Sequence, residues 1–372
     1  MSIYRLGRFR ELQQAAGMDY VAVMPGANLV YFTGIHAHLS ERPILALFPS
    51  DRNQKPALFA PEFEVGKCKT GPVPIDWQVY AYPDGADLAE LFARAARELS
   101  LDGKTIGMEP TQLRMLEASL LTRAAPNARL VPADHLVAEL RMIKDADEVA
   151  RMRRAVSVPE RVLAEAVPHI RPGMTELEVA GLLMRVSLNQ NLREMVSFPL
   201  VQTGLSAAFP HAFAGSRTVQ KGDLMVIDFG AVVDDYGSDI TRTIAIGEPG
   251  DEMQHIYSVV QQANEAGRAA VRPGVTCEDI DRAAREVIEK AGYGKYFIHR
   301  TGHGLGLEGH EPPYIVKGNK TVLQPGMTFT VEPGIYIEGK GGVRIEDDVL
   351  VTKDGGESLT TFSRDLIVVQ SV

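Results

Sequence analysis

Residues 223–247 read DLMVIDFGAVVDDYGSDITRTIAIG, and the fold turns on this stretch. Apolar runs stand on both sides of a polar turn placed at Asp234 to Gly237, the pattern of two antiparallel strands. Pairing about the midpoint of positions 228 and 239 sets Asp228 opposite Asp239. Further on, residues 328–351 read TFTVEPGIYIEGKGGVRIEDDVLV, again two strands, with a Gly-rich tip at Gly339 to Gly342 that sets Glu332 opposite Glu346. Cross-strand neighbours lie about 4.5–5.5 Å apart at Cβ, so each hairpin holds two carboxylates side by side. Acids converging in this way repel one another unless cations lie between them.

The two hairpins belong to a larger echo. Arg171-Pro172-Gly173-Met174-Thr175 recurs as Arg272-Pro273-Gly274-Val275-Thr276, an offset of 101 residues, and each Thr can cap a helix with an acid three positions on, Glu178 or Asp279. Gly222 and Gly230 frame Asp228 as Gly326 and Gly334 frame Glu332, at an offset of 104. Two nearly constant offsets predict a duplicated module of helices and strands with approximate internal two-fold symmetry. A site on that axis draws one set of ligands from each half.

Most Asp and Glu are solvated, and Asp223, Asp234, Asp235, Asp347 and Asp348 are read that way. Asp228 and Glu332 are not, because each follows an apolar run where an unpaired charge is costly. Between the hairpins lies HRTGHGLGLEGHEPPY, residues 299–314, in which Gly302, Gly304 and Gly306 allow close backbone approach and direct His303 at a neighbour. His169, His255 and His299 are read as structural hydrogen-bonders. One imidazole with four carboxylates is a hard, oxygen-rich set suited to Mn²⁺ first, with Co²⁺, Zn²⁺ or Fe²⁺ also accommodated.

The remaining sequence sets the frame. With 372 residues and 45% apolar composition, two domains are expected, 1–143 and 144–372. The first alternates helix-like and strand-like segments: Arg5 to Ala16 as a helix, Tyr20 to Met24 as a strand, short apolar runs at Leu29 to Phe32, Ile44 to Phe48 and Ala57 to Ala60, then a helix over Asp87 to Leu99. That is an α/β layer. A charged helical stretch from Leu136 to Ala155 carries the boundary near Met142 to Asp147. A net charge of -9 argues against nucleic acid or an anionic membrane as partner. Cys68 and Cys277 stand alone and are read as reduced, buried thiols. No apolar stretch approaches the ~18 residues of a membrane span, and a cytoplasmic location is expected.

The strings VIDFG, SDITRT, HRTGHGLGLEGHEPP, TVEPGIY and VRIEDDVLV resemble the signature of the pita-bread metallopeptidases, and more narrowly of Xaa-Pro dipeptidases (prolidases) and Xaa-Pro aminopeptidases. The resemblance is close over roughly 145–370; the first domain more loosely resembles the creatinase-type domain of that group. It implies an α/β N-terminal creatinase-like domain and an α+β pita-bread catalytic domain with pseudo-two-fold symmetry. It further implies that Asp228, Asp239, Glu332 and Glu346 bind two metal ions, with Asp239 and Glu346 bridging, and that His303 completes one coordination shell. His211, in FPHAF, and His310 match as non-ligands that flank the scissile peptide; the residue after His211 is Ala212, where family members usually carry a second histidine or a similar polar residue. In such a centre the metals acidify water, from pKa 15.7 to ~7, for attack on the substrate carbonyl. Glu332 is the candidate to accept and pass on the proton, and Arg344 to orient a site carboxylate or a substrate group. Arg300 or Arg344 could clamp a proline carboxylate.

The expected substrate is a peptide with proline at the second position. Alternatives are a broad-specificity aminopeptidase and an ectoine-type amidohydrolase on the same fold. A homodimer is expected, with His38 or Glu41 of the loop GIHAHLSERP, Gly34 to Pro43, reaching the partner's cleft.

Overall fold

The computed structural model describes residues 3–189 and 195–370 and divides into two compact units, Met1–Arg141 and Met142–Val372. In the first unit six strands form one mixed sheet in the spatial order Gln78–Tyr82, Ala57–Pro61, Leu45–Pro49, Tyr20–Val23, Thr105–Met108, Arg129–Pro132. The three strands at its centre and left are buried along their whole length, which is why they read as unbroken apolar runs rather than as alternating ones. The predicted helix over 87–99 forms as Leu88–Glu98, with the Asp87 side chain accepting from the amides of Ala89 and Glu90. The apolar run Leu29 to Phe32 is helical instead, within Ala27–Thr33. A run that short does not reveal its own period; here Gly34, at φ 70°, closes the helix by returning its N–H to the Val30 carbonyl.

The charged stretch from 136 to 155 is two helices, Asp134–Met142 and Ala146–Ala166. Asp145 and Glu148 form a reciprocal capping box that starts the second one. Within the second unit the duplication is visible. Helix pair Ala146–Ala166 and Glu176–Asn189 precedes a four-stranded sheet ordered Val368–Val369, Ile240–Ile246, Leu224–Phe229, Leu200–Thr203. Helix pair Asp251–Ala270 and Cys277–Lys290 precedes a five-stranded sheet ordered Glu311–Ile315, Gly302–Gly304, Thr328–Val331, Asp347–Val351, Gly356–Ser358. Isolated bridges Thr175 to Thr218 and Thr276 to Val322 repeat at the same place in each half, and Gly173 and Gly274 share φ 89°. Both threonine capping boxes form: Thr175 with Glu178 and Thr276 with Asp279.

The register of the first hairpin differs from the expected one. Asp228 pairs with Thr241, not Asp239. The turn is a tight one at Asp234 and Asp235, both at positive φ, 46° and 75°, with Val233 paired to Tyr236. That matches a two-residue hairpin turn of the kind whose twist suits the strands. Its centre lies one residue further along than the midpoint of the two aspartates, so every partner shifts by two. In the second hairpin the pairs Val331 with Asp347 and Gly334 with Arg344 bracket Glu332 and Glu346 in the expected register.

Candidate metal centre

Among the described residues, three overlapping groups bring ligand atoms within 4.8 Å of one another: Asp228, Asp239 and Glu346; His303, Glu332 and Glu346; Asp239, His303 and His310. They lie at a cavity of about 590 Å³, also lined by His211, His299, Arg300 and Arg344 and by the apolar Phe198, Leu200 and Phe229. The residues singled out in the sequence, including His211 and Arg344, are thus brought together. The shifted register does not separate Asp228 from Asp239, because a shift of two positions keeps the same face of the hairpin and leaves Asp239 diagonally across from Asp228, two residues before its partner Thr241.

Local chain geometry explains how each donor is aimed. A Cβ on Gly302 would lie 1.8 Å from the Thr330 carbonyl oxygen, and one on Gly304 2.4 Å from that of Pro312; only glycine allows backbones that close on either side of His303. His303 is buried, with Nε2 at 3.3 Å from Glu332 Oε1 and 4.0 Å from Asp239 Oδ2. Its Nδ1 faces the Gly304 carbonyl at 3.1 Å, so Nδ1 carries the proton and Nε2 keeps its lone pair. Burial pushes its pKa down to about 3, which keeps the ring neutral.

Apart from Arg344, the carboxylates are held by groups the sequence did not single out. Thr241 donates to Glu346 Oε2 at 2.6 Å, and Thr330 to Glu332 Oε1 at 3.1 Å. Asn264, fully buried, donates to the carbonyls of Val331 and Ile345, the residues just before Glu332 and Glu346. Arg344 Nη2 lies 2.5 Å from Asp228 Oδ2, while its Nη1 donates to the Tyr336 hydroxyl at 2.9 Å. His299, read as a structural hydrogen-bonder, does bond that hydroxyl at 2.9 Å, but it also lines the cavity.

Asp347 and Asp348 were expected in solvent and are wholly buried. Asp347 is neutralised by Arg242 and Arg364, each at 2.8 Å, with Arg268 at 3.4 Å. Asp348 accepts the Asp239 amide N–H at 3.0 Å. Both are therefore supports of the centre, and their partners come from distant segments, so nothing local marked them.

Burial and mutual repulsion drive Asp239 and Glu346 well above the ordinary carboxylate range, and Glu332 up to about 7. An oxygen-rich set with one available imidazole lone pair, converging within coordination reach, fits divalent cations.

Gln202 stands at the two-fold counterpart of His303. Thr203 pairs with Met225 and Gly304 with Phe329; Met225 and Phe329 are related by the 104-residue offset, so the preceding residues Gln202 and His303 correspond. Gln202, fully buried, donates to the carbonyls of Pro210 and Ala212 on either side of His211, at 3.1 and 2.8 Å.

Fold and donor set together define a two-domain metallohydrolase. The chain belongs to metallopeptidase family M24, whose model matches residues 150–353, and residues 5–143 match the creatinase/prolidase N-terminal domain. Its second unit is accordingly a pita-bread domain. It is 35% identical to a Xaa-Pro dipeptidase of Lactobacillus helveticus over 98% of both chains, and 37% identical to a probable dipeptidase PepE of Mycobacterium bovis over 95% of this chain and 93% of the relative. Among solved structures, a prolidase from Thermococcus sibiricus superposes with a TM-score of 0.91 at 34% identity, covering 99% of each chain.

Proposed function

We propose that the chain is a dinuclear Xaa-Pro dipeptidase that releases proline from dipeptides, with Asp228, Asp239, His303, Glu332 and Glu346 as ligands of two divalent ions, Mn²⁺ foremost. The observation that carries this reading is the convergence of those five side chains in one cavity beside two further histidines, His211 and His310. Bound metals supply Lewis acidity and lower the pKa of water. The chain's own residues do the rest. Glu332 accepts and delivers the proton, Arg344 fixes Asp228, and His211 and His310 hold the substrate carbonyl and amide. Phe198, Leu200 and Phe229 form the apolar side of the cavity, which suits a pyrrolidine ring or an apolar first side chain. The relatives' names favour a dipeptidase; a solved Thermotoga maritima relative named as an X-Pro aminopeptidase, 34% identical with TM-score 0.81, keeps aminopeptidase activity as the second reading.

A homodimer in the cytoplasm completes the proposal. Phe209 and Phe213, on either side of His211, are 53% and 79% exposed, an apolar rim that a second copy would cover. In that arrangement the partner's His38 or the partner's Glu41 approaches the cleft, and sedimentation of an active monomer would refute it. No helix among the described residues is long and apolar enough to cross a membrane.

The deciding experiment incubates the Mn²⁺-loaded protein with Ala-Pro, Ala-Pro-Ala, Ala-Ala and a cyclic amide and detects released amine. The expected outcome is fastest turnover of Ala-Pro. Preference for Ala-Pro-Ala makes it an aminopeptidase, and hydrolysis of the cyclic amide alone removes it from peptide chemistry.

A further inference from the structure

The rings of His303 and His310 lie with centroids 3.8 Å apart, tilted by 34°, and both lie within ligand reach of Asp239. Beside Asp239, proximity alone does not exclude His310 as a metal ligand. What separates them is the hydrogen bond on the other nitrogen. His303 Nδ1 faces a carbonyl, which only accepts, so its Nε2 offers a lone pair. His310 Nδ1 faces Arg300 Nη2 at 2.9 Å. A guanidinium only donates and is not deprotonated in proteins, so His310 Nδ1 must accept, and the proton of the neutral ring sits on Nε2. A nitrogen that carries hydrogen has no lone pair for a metal.

Arg300 is itself braced. Its guanidinium carbon lies 4.5 Å from the ring centroid of Tyr314, a stacking geometry that holds the planar fork. Tyr314 is the registered partner of His303 across the sheet, so the clamp on one histidine is mounted on the strand that pairs with the other.

We infer that Arg300 is a positioning residue that sets the tautomer of His310, making its Nε2 a hydrogen-bond donor and withholding that ring from metal coordination. The inference rests on the metallopeptidase reading and deepens it: the same imidazole chemistry is split into one ligand and one donor by what touches each Nδ1. It also gives Arg300 a task other than clamping a product carboxylate.

The test uses full-length protein labelled with ¹⁵N-histidine, metal-free and loaded with diamagnetic Zn²⁺, at about pH 8, above the ordinary histidine range. Wild type, Arg300→Met and Arg300→Lys are compared, and His310→Gln assigns the signals. Wild type and Arg300→Lys should show His310 protonated at Nε2 in both states. Arg300→Met should gain the Nδ1-protonated form and, on zinc loading, a metal-bound shift at His310. With Ala-Pro, Arg300→Met should lose kcat by about 10–100-fold, ordinary for an outer-shell partner, with KM moving less than about threefold, and Arg300→Lys should recover most of it. Wild type protonated at Nδ1, or an Arg300→Met spectrum identical to wild type, overturns the inference. So does a rise in KM for Ala-Pro alone with Ala-Pro-amide spared, the signature of a carboxylate clamp. Failure of wild type and every variant to cleave Ala-Pro overturns the dipeptidase reading instead, and the tautomer is still read from the spectrum.

Discussion

Asp239 and Thr241 stand two residues apart and bear on the centre differently. In the proposed centre, Asp239→Asn would replace a carboxylate ligand by an amide, a poor metal ligand. At least one metal ion per chain should be lost by elemental analysis and activity should fall ~10²-fold or more, with far-UV circular dichroism unchanged; full metal content with normal turnover would sink the ligand assignment. Thr241→Val keeps the shape but removes the donor to Glu346 Oε2 and the acceptor for Arg344 Nε. It should weaken metal binding by about 10–100-fold, measured by chelator competition. His299 offers a pH readout. Burial pushes its pKa from 6.5 down to about 4. Above pH 6.5 both folded and unfolded rings are neutral. Between there and pH 4 the unfolded chain takes up a proton that the folded one refuses, so stability falls as pH falls, by at most about 3 kcal/mol. Urea midpoints across that range should fall less steeply for His299→Gln than for wild type, and parallel curves would exclude the effect. At this scale Asp228 and Glu332 stood out as candidate ligands because each interrupts an apolar run. Asp347 and Asp348 did not, because burial of an acid is decided by cations elsewhere in the chain, Arg242 standing 105 residues from Asp347.

The helices Glu176–Asn189 and Cys277–Lys290 begin in the same way, and their capping boxes were readable because a box is set by two residues three apart. Thr276→Ala removes the hydroxyl in contact with Asp279 and should cost about 1 kcal/mol of stability, seen as a lower urea midpoint at constant slope. A shift below experimental error would mean that packing of the helix against its neighbour, not its cap, fixes the start. Strand pairing was legible only where the turn announced itself. The Gly-rich tip at 339–342 centred the second hairpin correctly, whereas in the first the two aspartates of the turn take positive φ, and an Asp-Asp pair carries no unique turn signature. Centring the hairpin on the midpoint of Asp228 and Asp239 put it one residue short of the observed turn. The acids still meet, since a shift of two positions leaves Asp239 on the same face as Asp228.

Over the whole molecule, the repulsion stored among four carboxyl groups makes metal content a stability variable. Ligand binding to the folded state alone adds about 2.7 kcal/mol at a free concentration 100 times Kd, which for a unit of this size raises Tm by roughly 5–10 °C. Calorimetry with Mn²⁺ and with excess chelator should show that gap, and Asp239→Asn should narrow it. Equal transitions would mean that the acids bind no ion. The paired offsets of 101 and 104 residues make the two-fold relation readable in the sequence, because duplicated turns and caps keep their spacing even where side chains differ.

Gln202 and His303 occupy matched positions on either side of that axis. Two identical chains meeting on an axis must carry the same residue at both places, so a histidine gained on one side is imposed on the other. End-to-end fusion of an ancestral pair lifts the constraint, and each position can then be inherited separately. Here one position is an imidazole facing the carboxylates, and its mate an amide holding the Phe209–Phe213 loop around His211. The halves are consequently no longer interchangeable: two copies of the first would bring two amides and no imidazole at this position, and two copies of the second would bring two imidazoles and no amide to hold the loop.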